Sequence, residues 1–154
     1  MKLFRICIFF LLSINFLHAA SAAQKGSREE AIALVKKAAV FLKENGKEKA
    51  FAAFSDPNGQ FVKGDLYIFS YSTNGDGINL AHGQNPKMVG KPLLEMRDVD
   101  GVYLVKEFLA VANSQTGNGW VDYKWPNSLS KTIEQKSAYI EKVGDLFLGC
   151  GIYK

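Results

Sequence analysis

The chain has 154 residues, of which 47% are hydrophobic and 22% charged, and its formal net charge is +4. This length and composition predict a single globular domain. The basic excess is small and scattered, and no run of five or more basic residues occurs. Nucleic acid is therefore excluded as a partner, because its recognition requires a concentrated basic surface.

The first 23 residues have the pattern of a secretory signal peptide. A basic start precedes an apolar stretch over residues 6–17, and small residues follow at 19–23. The apolar stretch is shorter than the roughly 20 residues that span a bilayer, and no later stretch is long enough either. We expect cleavage that leaves residues 24–154, with export to the periplasm or out of the cell. Retention as a membrane anchor is the alternative.

Cleavage would remove Cys7 and leave Cys150 as the one remaining cysteine. A lone cysteine in an oxidising compartment is either buried or links two copies of a chain. Cys150 lies in a strand pattern with apolar residues on its own face, which favours burial. A homodimer joined through Cys150 is the less favoured interpretation.

Two amphipathic helices are predicted. The first begins with a Ser-x-x-Glu capping box at Ser27, and its apolar stripe covers residues 31–42. Asn45-Gly46 ends this helix, and a shorter helix over residues 47–54 follows. A second amphipathic helix is expected over residues 102–114.

Five strands are predicted, at residues 66–72, 78–81, 119–125, 133–143 and 145–153. The first two form a hairpin around the Gly-rich turn 74–77, and helix 102–114 crosses from this hairpin to the three closing strands. This order predicts an α+β domain with a five-stranded antiparallel sheet and a long N-terminal helix packed across it.

Catalytic and metal-binding patterns are mostly absent. His82 is the only histidine left after cleavage, and the sequence contains no G-x-S-x-G, C-x-x-C or H-x-x-x-H spacing. Asp98-x-Asp100-Gly101 is similar to part of a calcium loop but lacks the remaining ligands. We therefore expect no enzymatic activity, no metal and no cofactor.

Aromatic and polar side chains on the predicted strand faces favour a small-ligand site. A buried anion needs cationic or hydroxyl donors, which His82, Lys136 and the tyrosines can supply. The candidate ligand-binding residues are His82, Tyr67, Phe69, Tyr71, Met96, Trp120, Tyr123, Trp125, Lys136 and Tyr139. In the competing interpretation these side chains are plain core.

Residues 67–72, 78–93, 119–123 and 142–146 carry a family resemblance. They resemble the single Cache family (sCache type 2), the PAS-like extracytoplasmic sensor domains of bacteria, and the likeness extends over nearly all of the chain after the signal segment. The resemblance implies a PAS-like fold with a helical crossover after the second strand. It also implies a ligand between the sheet and residues 82–96, typically a small organic acid such as acetate, propionate or pyruvate. The family pattern Leu-Ala-His-Pro has Gly83 at its last position here.

In chemoreceptors and sensor kinases of this family, a transmembrane helix and an output module follow the Cache domain. The sequence stops at Lys154, so we expect a standalone form that presents its ligand state to a separate receptor or transporter, in a chemotaxis-related or other signalling role. The predicted function is reversible binding of a small organic anion. The alternatives are a structural or interaction module without a ligand, and a small hydrolase that uses His82.

Overall fold

The computed structural model describes residues 25–154, and the predicted signal peptide lies outside this range. In chain order the elements are α1 (Arg28–Phe54), β1 (Val62–Lys63), β2 (Leu66–Ser72), β3 (Asn79–His82), a short 3-10 helix (Pro86–Met88), α2 (Leu104–Ala112), β4 (Asn118–Pro126), β5 (Ile133–Val143) and β6 (Leu146–Tyr153). The α+β class, the long first helix and the helical crossover are confirmed. No helix within residues 25–154 is long and apolar enough to cross a bilayer.

All strand pairs are antiparallel, and the order across the sheet is β1-β2-β6-β5-β4, with β3 also paired to β2. β1 and β3 share one edge of β2: the backbone N–H of Ile68 donates to Phe61, and its carbonyl accepts from Gly83. The sheet thus has six strands instead of the expected five, because the two-residue β1 pairs with the start of β2.

Helix α1 begins as its sequence predicts. The Ser27 hydroxyl accepts from the backbone N–H of Glu30, and the Glu30 carboxylate accepts from the N–H of Ser27. Gly46 interrupts the helix with φ 77° and ψ 168°, a conformation that is essentially restricted to glycine. The predicted break between two helical segments is therefore confirmed.

The sheet has apolar side chains on both faces, so two hydrophobic cores form. One core lies under α1 and includes Ile68, Leu148 and the fully buried Cys150. The other lies under α2 and includes Phe69 and Phe147. Successive strand residues point to opposite faces, and because β2 and β6 are central, their side chains contribute to both cores.

Candidate functional site

A small cavity, here called the aromatic chamber, lies between the α2 face of the sheet and the segment that follows β3. Its sheet side is formed by Tyr67, Phe69, Tyr71, His82, Tyr123 and Trp125. Met88, Met96, Leu104 and Phe108 cover it. The cavity volume is about 10 Å³, which is room for about one water molecule.

A larger open cavity, here called the mouth, adjoins the chamber and has a volume of about 360 Å³. The two cavities share Tyr67, His82 and Trp125 as lining residues. Polar side chains line the rest of the mouth: Gln84, Asn85, Asn127, Ser128 and Lys131, with Pro126. The chamber thus adjoins an open cavity whose remaining lining residues are mostly polar.

His82 ends β3 and is only 4% exposed. Its Nδ1 atom accepts hydrogen bonds from the backbone N–H groups of Asn85, at 3.0 Å, and Gln84, at 3.3 Å. Burial, reinforced by the positive charge of Lys136, lowers the pKa of His82 to about 3. The neutral ring therefore carries its proton on Nε2, because Nδ1 is an acceptor. The imidazole offers a single N–H donor beside the two cavities.

Lys136, on β5, is completely buried. Its Nζ atom donates to the hydroxyl of Tyr67 at 2.8 Å and to that of Tyr153 at 3.3 Å, and it lies 4.0 Å from the Tyr67 ring centroid. Burial lowers the pKa of Lys136 to about 7, while Cys150 and Asp65 act in the opposite direction. A cation at this position has hydroxyl and ring partners but no salt bridge among the described residues.

Two glycines of β6 make this arrangement sterically feasible. A Cβ atom on Gly151 would overlap the Lys136 side chain, and one on Gly149 would overlap the Phe69 ring. Lys136 can therefore lie across β6 and reach Tyr67 on β2, which is two strands away. The Gly-x-Gly pattern inside an apolar strand is the sequence signal for this close approach.

The structure brings most of the predicted site residues together. Seven of them line the chamber, and Lys136 contacts Tyr67 directly behind it. Trp120 and Tyr139 are not brought there: they pack against each other on the α1 face, with ring centroids 5.5 Å apart. Because side chains alternate along a strand, Trp120 and Tyr123 point to opposite faces of the sheet. Tyr139 and Lys136 point to opposite faces for the same reason.

The lining residues that the sequence did not suggest are Met88, Leu104 and Phe108. Leu104 and Phe108 lie on the apolar stripe of α2, which the sequence shows. Such a stripe is equally consistent with ordinary core packing. Met88 has no distinctive signal. The loop that carries Met88 is fixed to β3, because the Gly90 N–H donates to the Asn79 carbonyl at 2.8 Å and the Asn79 N–H donates to the Lys91 carbonyl at 3.1 Å.

Gly83, at the position where the family pattern has proline, is buried. Its N–H donates to the carbonyl of Ile68 at 2.9 Å, a bond that proline cannot make. An added Cβ would lie 3.0 Å from Tyr67 Cβ and from Val62 Cγ2. The glycine thus extends the pairing of β3 with β2 and fixes the backbone next to His82.

No group of three or more His, Cys, Asp or Glu side chains within residues 25–154 is arranged to hold a metal ion. The donors around the chamber are an imidazole N–H, tyrosine hydroxyls and the Lys136 ammonium. These groups can neutralise and hydrogen-bond a small anion.

A family model described as Cache domain (dCache_2) matches residues 14–154. The methyl-accepting chemotaxis protein McpP of Pseudomonas putida is 33% identical over 76 residues, which are 48% of this chain. The match covers only 14% of the length of that relative.

Solved structures with the same fold include a methyl-accepting chemotaxis protein from Vibrio parahaemolyticus, with TM-score 0.69 and 24% identity, covering 81% of this chain and 86% of that one. A Cache chemosensory domain solved to explain carboxylic acid recognition has TM-score 0.66 and 21% identity, covering 81% and 91%. A periplasmic sensor domain of a chemotaxis protein has TM-score 0.62 and 22% identity, covering 81% and 88%. At these identities the likeness establishes the fold. Because the family model matches all of the described residues, the protein belongs to the Cache domain family.

Proposed function

We propose that this chain is an extracytoplasmic sensor domain that reversibly binds a small organic anion, a short-chain carboxylate, in the aromatic chamber. In this proposal the domain presents its ligand state to a separate signalling or transport partner. Membership of a family of sensor domains supports the proposal, as does the likeness to a chemotaxis protein and to a domain that recognises carboxylic acids.

The observation that carries the proposal is the completely buried Lys136. Removing an ammonium group from water is costly unless an anion or several hydrogen bonds compensate it. Two tyrosine hydroxyls supply part of this compensation. A carboxylate in the chamber would supply the rest.

We assign a role to each proposed contact. Lys136 and the hydroxyl of Tyr67 would hold the carboxylate, and the Nε2–H group of His82 would donate to it. The apolar remainder of the ligand would contact the rings and thioether that line the chamber: Phe69, Tyr71, Met96, Tyr123 and Trp125. Trp120 and Tyr139 are left out, because they lie on the opposite face.

Ligand access requires the cover of the chamber to move, because about 10 Å³ does not hold a carboxylate. Met88 and Met96 are the cover residues best suited to move, since methionine is unbranched and adapts its packing. We infer that binding rearranges residues 82–96. That motion would reach α1 through β3, which contacts the helix.

The small volume of the chamber favours one second candidate, an interaction module whose former ligand site is filled by side chains. A hydrolase is disfavoured by geometry. His82 Nδ1 accepts two backbone hydrogen bonds, so a carboxylate cannot orient the ring as in a catalytic triad.

The test is a thermal-shift and calorimetric screen of the purified protein against acetate, propionate and pyruvate. A ligand at 100 times its Kd should stabilise the fold by about 2.7 kcal/mol. We expect Lys136→Met and His82→Ala to abolish the effect, and Trp120→Phe, on the opposite face, to preserve it. If no small acid shifts protein shown to be free of co-purified ligand, the interaction module becomes the better explanation.

A further inference from the structure

The lining of the mouth carries one positive charge and no negative charge. Its lining includes amides, a hydroxyl and Lys131, but no acidic side chain. The chamber lining contains no acidic side chain either. A ligand that extends from the chamber into the mouth would therefore meet no negatively charged side chain in either lining.

Lys131 is held in place by a tightly bonded loop. Its backbone N–H donates to the Asn127 carbonyl at 2.8 Å, and the Asn127 N–H donates to Thr132 at 2.8 Å. Asn127 also accepts the N–H of Leu129 through its side chain, at 2.9 Å. Lys131 has φ 62° and is the only non-glycine residue with positive φ within residues 25–154. Such a backbone is maintained against its intrinsic preference, and positions of this kind are frequently functional.

The acidic group in the same loop region, Glu134, is already engaged elsewhere. Its carboxylate accepts hydrogen bonds from Asn127, Ser130 and Thr132, and it lies 3.6 Å from the ammonium of Lys25. No salt bridge of Lys131 is formed among residues 25–154. The exposed ammonium of Lys131 is thus available to pair with an anion.

Tyr67 connects the two cationic positions. Its ring lines both cavities, and its hydroxyl accepts from Lys136. The chamber end and the mouth end of the site therefore meet at one side chain. An extended ligand that contacts Tyr67 would have Lys136 on one side of that residue and the mouth, with Lys131, on the other.

We propose that the mouth is a second subsite, and that the ligand is a dicarboxylate whose distal carboxylate is bound there by Lys131. This inference rests on the proposed function and narrows it, because it names the group at the far end of the ligand. The pair is solvent-exposed on the Lys131 side, so the expected gain in affinity is about fivefold. Increasing the salt concentration should reduce that gain, because exposed charges are screened.

The test compares three acids of equal chain length by calorimetry: butyrate, succinate and 4-aminobutyrate. They differ only in a distal methyl, carboxylate or ammonium group. We expect succinate to bind about fivefold more tightly than butyrate, and 4-aminobutyrate to bind most weakly. Lys131→Gln should reduce succinate to the level of butyrate and leave butyrate unchanged. Lys43→Gln, which removes an exposed charge from the distant α1, is the matched control and should change neither.

The outcomes separate this proposal from the proposed function. If butyrate or a shorter monocarboxylate binds and succinate has no advantage, the second subsite is overturned while carboxylate binding stands. The second subsite is also overturned if Lys131→Gln and Lys43→Gln change the affinity for succinate equally. If no carboxylate of any length binds, both proposals fail together.

Discussion

Lys136 combines a desolvation cost to the fold with the proposed role of binding an anion. The ammonium is surrounded by the Tyr67 and Tyr153 rings, 4.0 and 4.5 Å from its Nζ atom, and cation–π attraction offsets part of the lost hydration. The remaining cost lowers its pKa to about 7. Replacing buried charges by well-packed apolar side chains is often neutral or stabilising.

We predict that Lys136→Met stabilises the protein without ligand at pH 7. In the unfolded chain this lysine titrates near 10.5, and in the folded protein near 7. Above pH 7 the folded protein therefore binds fewer protons than the unfolded chain, so stability rises with pH. The wild-type free energy of unfolding should increase by about 1.4 kcal/mol per pH unit relative to the variant. Urea unfolding at pH 7, 8 and 9 measures this difference.

Comparison with the variant from pH 7 to 9 isolates Lys136, because the ionisation of the other groups in the unfolded chain is common to both proteins and cancels from the difference. His82 titrates far below this range, with a pKa near 3. Cys150 and Tyr71 titrate above it, since burial raises both pKa values to about 12. Burial also raises the pKa values of Tyr67 and Tyr153. If the free energies of unfolding of wild type and Lys136→Met changed in parallel with pH, burial would not lower the pKa of Lys136.

Carboxylate binding should also depend on pH. The anion pairs with protonated Lys136, whose pKa is about 7 before the ligand binds. Above pH 7 each binding event must therefore take up a proton, and the apparent Kd should rise by about tenfold per pH unit. Calorimetry in two buffers of different ionisation enthalpy reports the proton uptake directly. A Kd that stays constant from pH 7 to 9 would exclude Lys136 as the anion partner.

At the scale of elements, the break in α1 is set by backbone conformation alone. No atom lies within 4 Å of the position that a Cβ on Gly46 would occupy. The residue nevertheless adopts φ 77° and ψ 168°, so the restriction comes from its own torsion angles and not from packing. The break redirects residues 47–54 toward the sheet, where Ala50 and Phe54 are buried.

We predict that Gly46→Ala destabilises the fold by about 1–3 kcal/mol, the cost of a non-glycine residue in this region of torsion space. Chemical denaturation at constant pH measures the change. Lys49→Ala, at an exposed position of the same helix, is the control and should stay within about 0.5 kcal/mol of wild type. Equal stabilities for the two variants would show that the helix accommodates alanine by changing its path.

At the scale of the whole molecule, the sheet separates the candidate site from α1. Trp125 lines the chamber and the mouth, whereas Trp120 lies on the α1 face with the Arg28 guanidinium 4.0 Å from its ring centroid. These are the two tryptophans of the chain. Each face therefore carries its own fluorescent reporter.

We predict that a bound carboxylate changes the emission of Trp120→Phe, in which Trp125 remains, at the concentration where calorimetry shows binding. In Trp125→Phe the remaining Trp120 reports whether the change crosses the sheet to α1. A response of Trp120 alone would contradict the placement of the ligand in the chamber.

Much of the fold was predictable because its signals are local. The capping box at Ser27, the break at Gly46 and the period-two pattern of β5 each depend on residues within a few positions of one another. The alternation of side chains along a strand also places Trp120 and Tyr123 on different faces of the sheet, which the sequence alone predicts. Two-residue β1 was not predictable, since it exists only because β2 is there to pair with it.

Local patterns and residue chemistry specify the helices, the order of the longer strands and the aromatic, hydroxyl and cationic groups of the candidate site. Which of these groups meet depends on the tertiary fold. The pairing of β6 with β2 on one side and with β5 on the other places Lys136 against Tyr67, 69 residues away, across Gly151. Such contacts depend on how the whole chain buries its apolar surface, and no single segment encodes them.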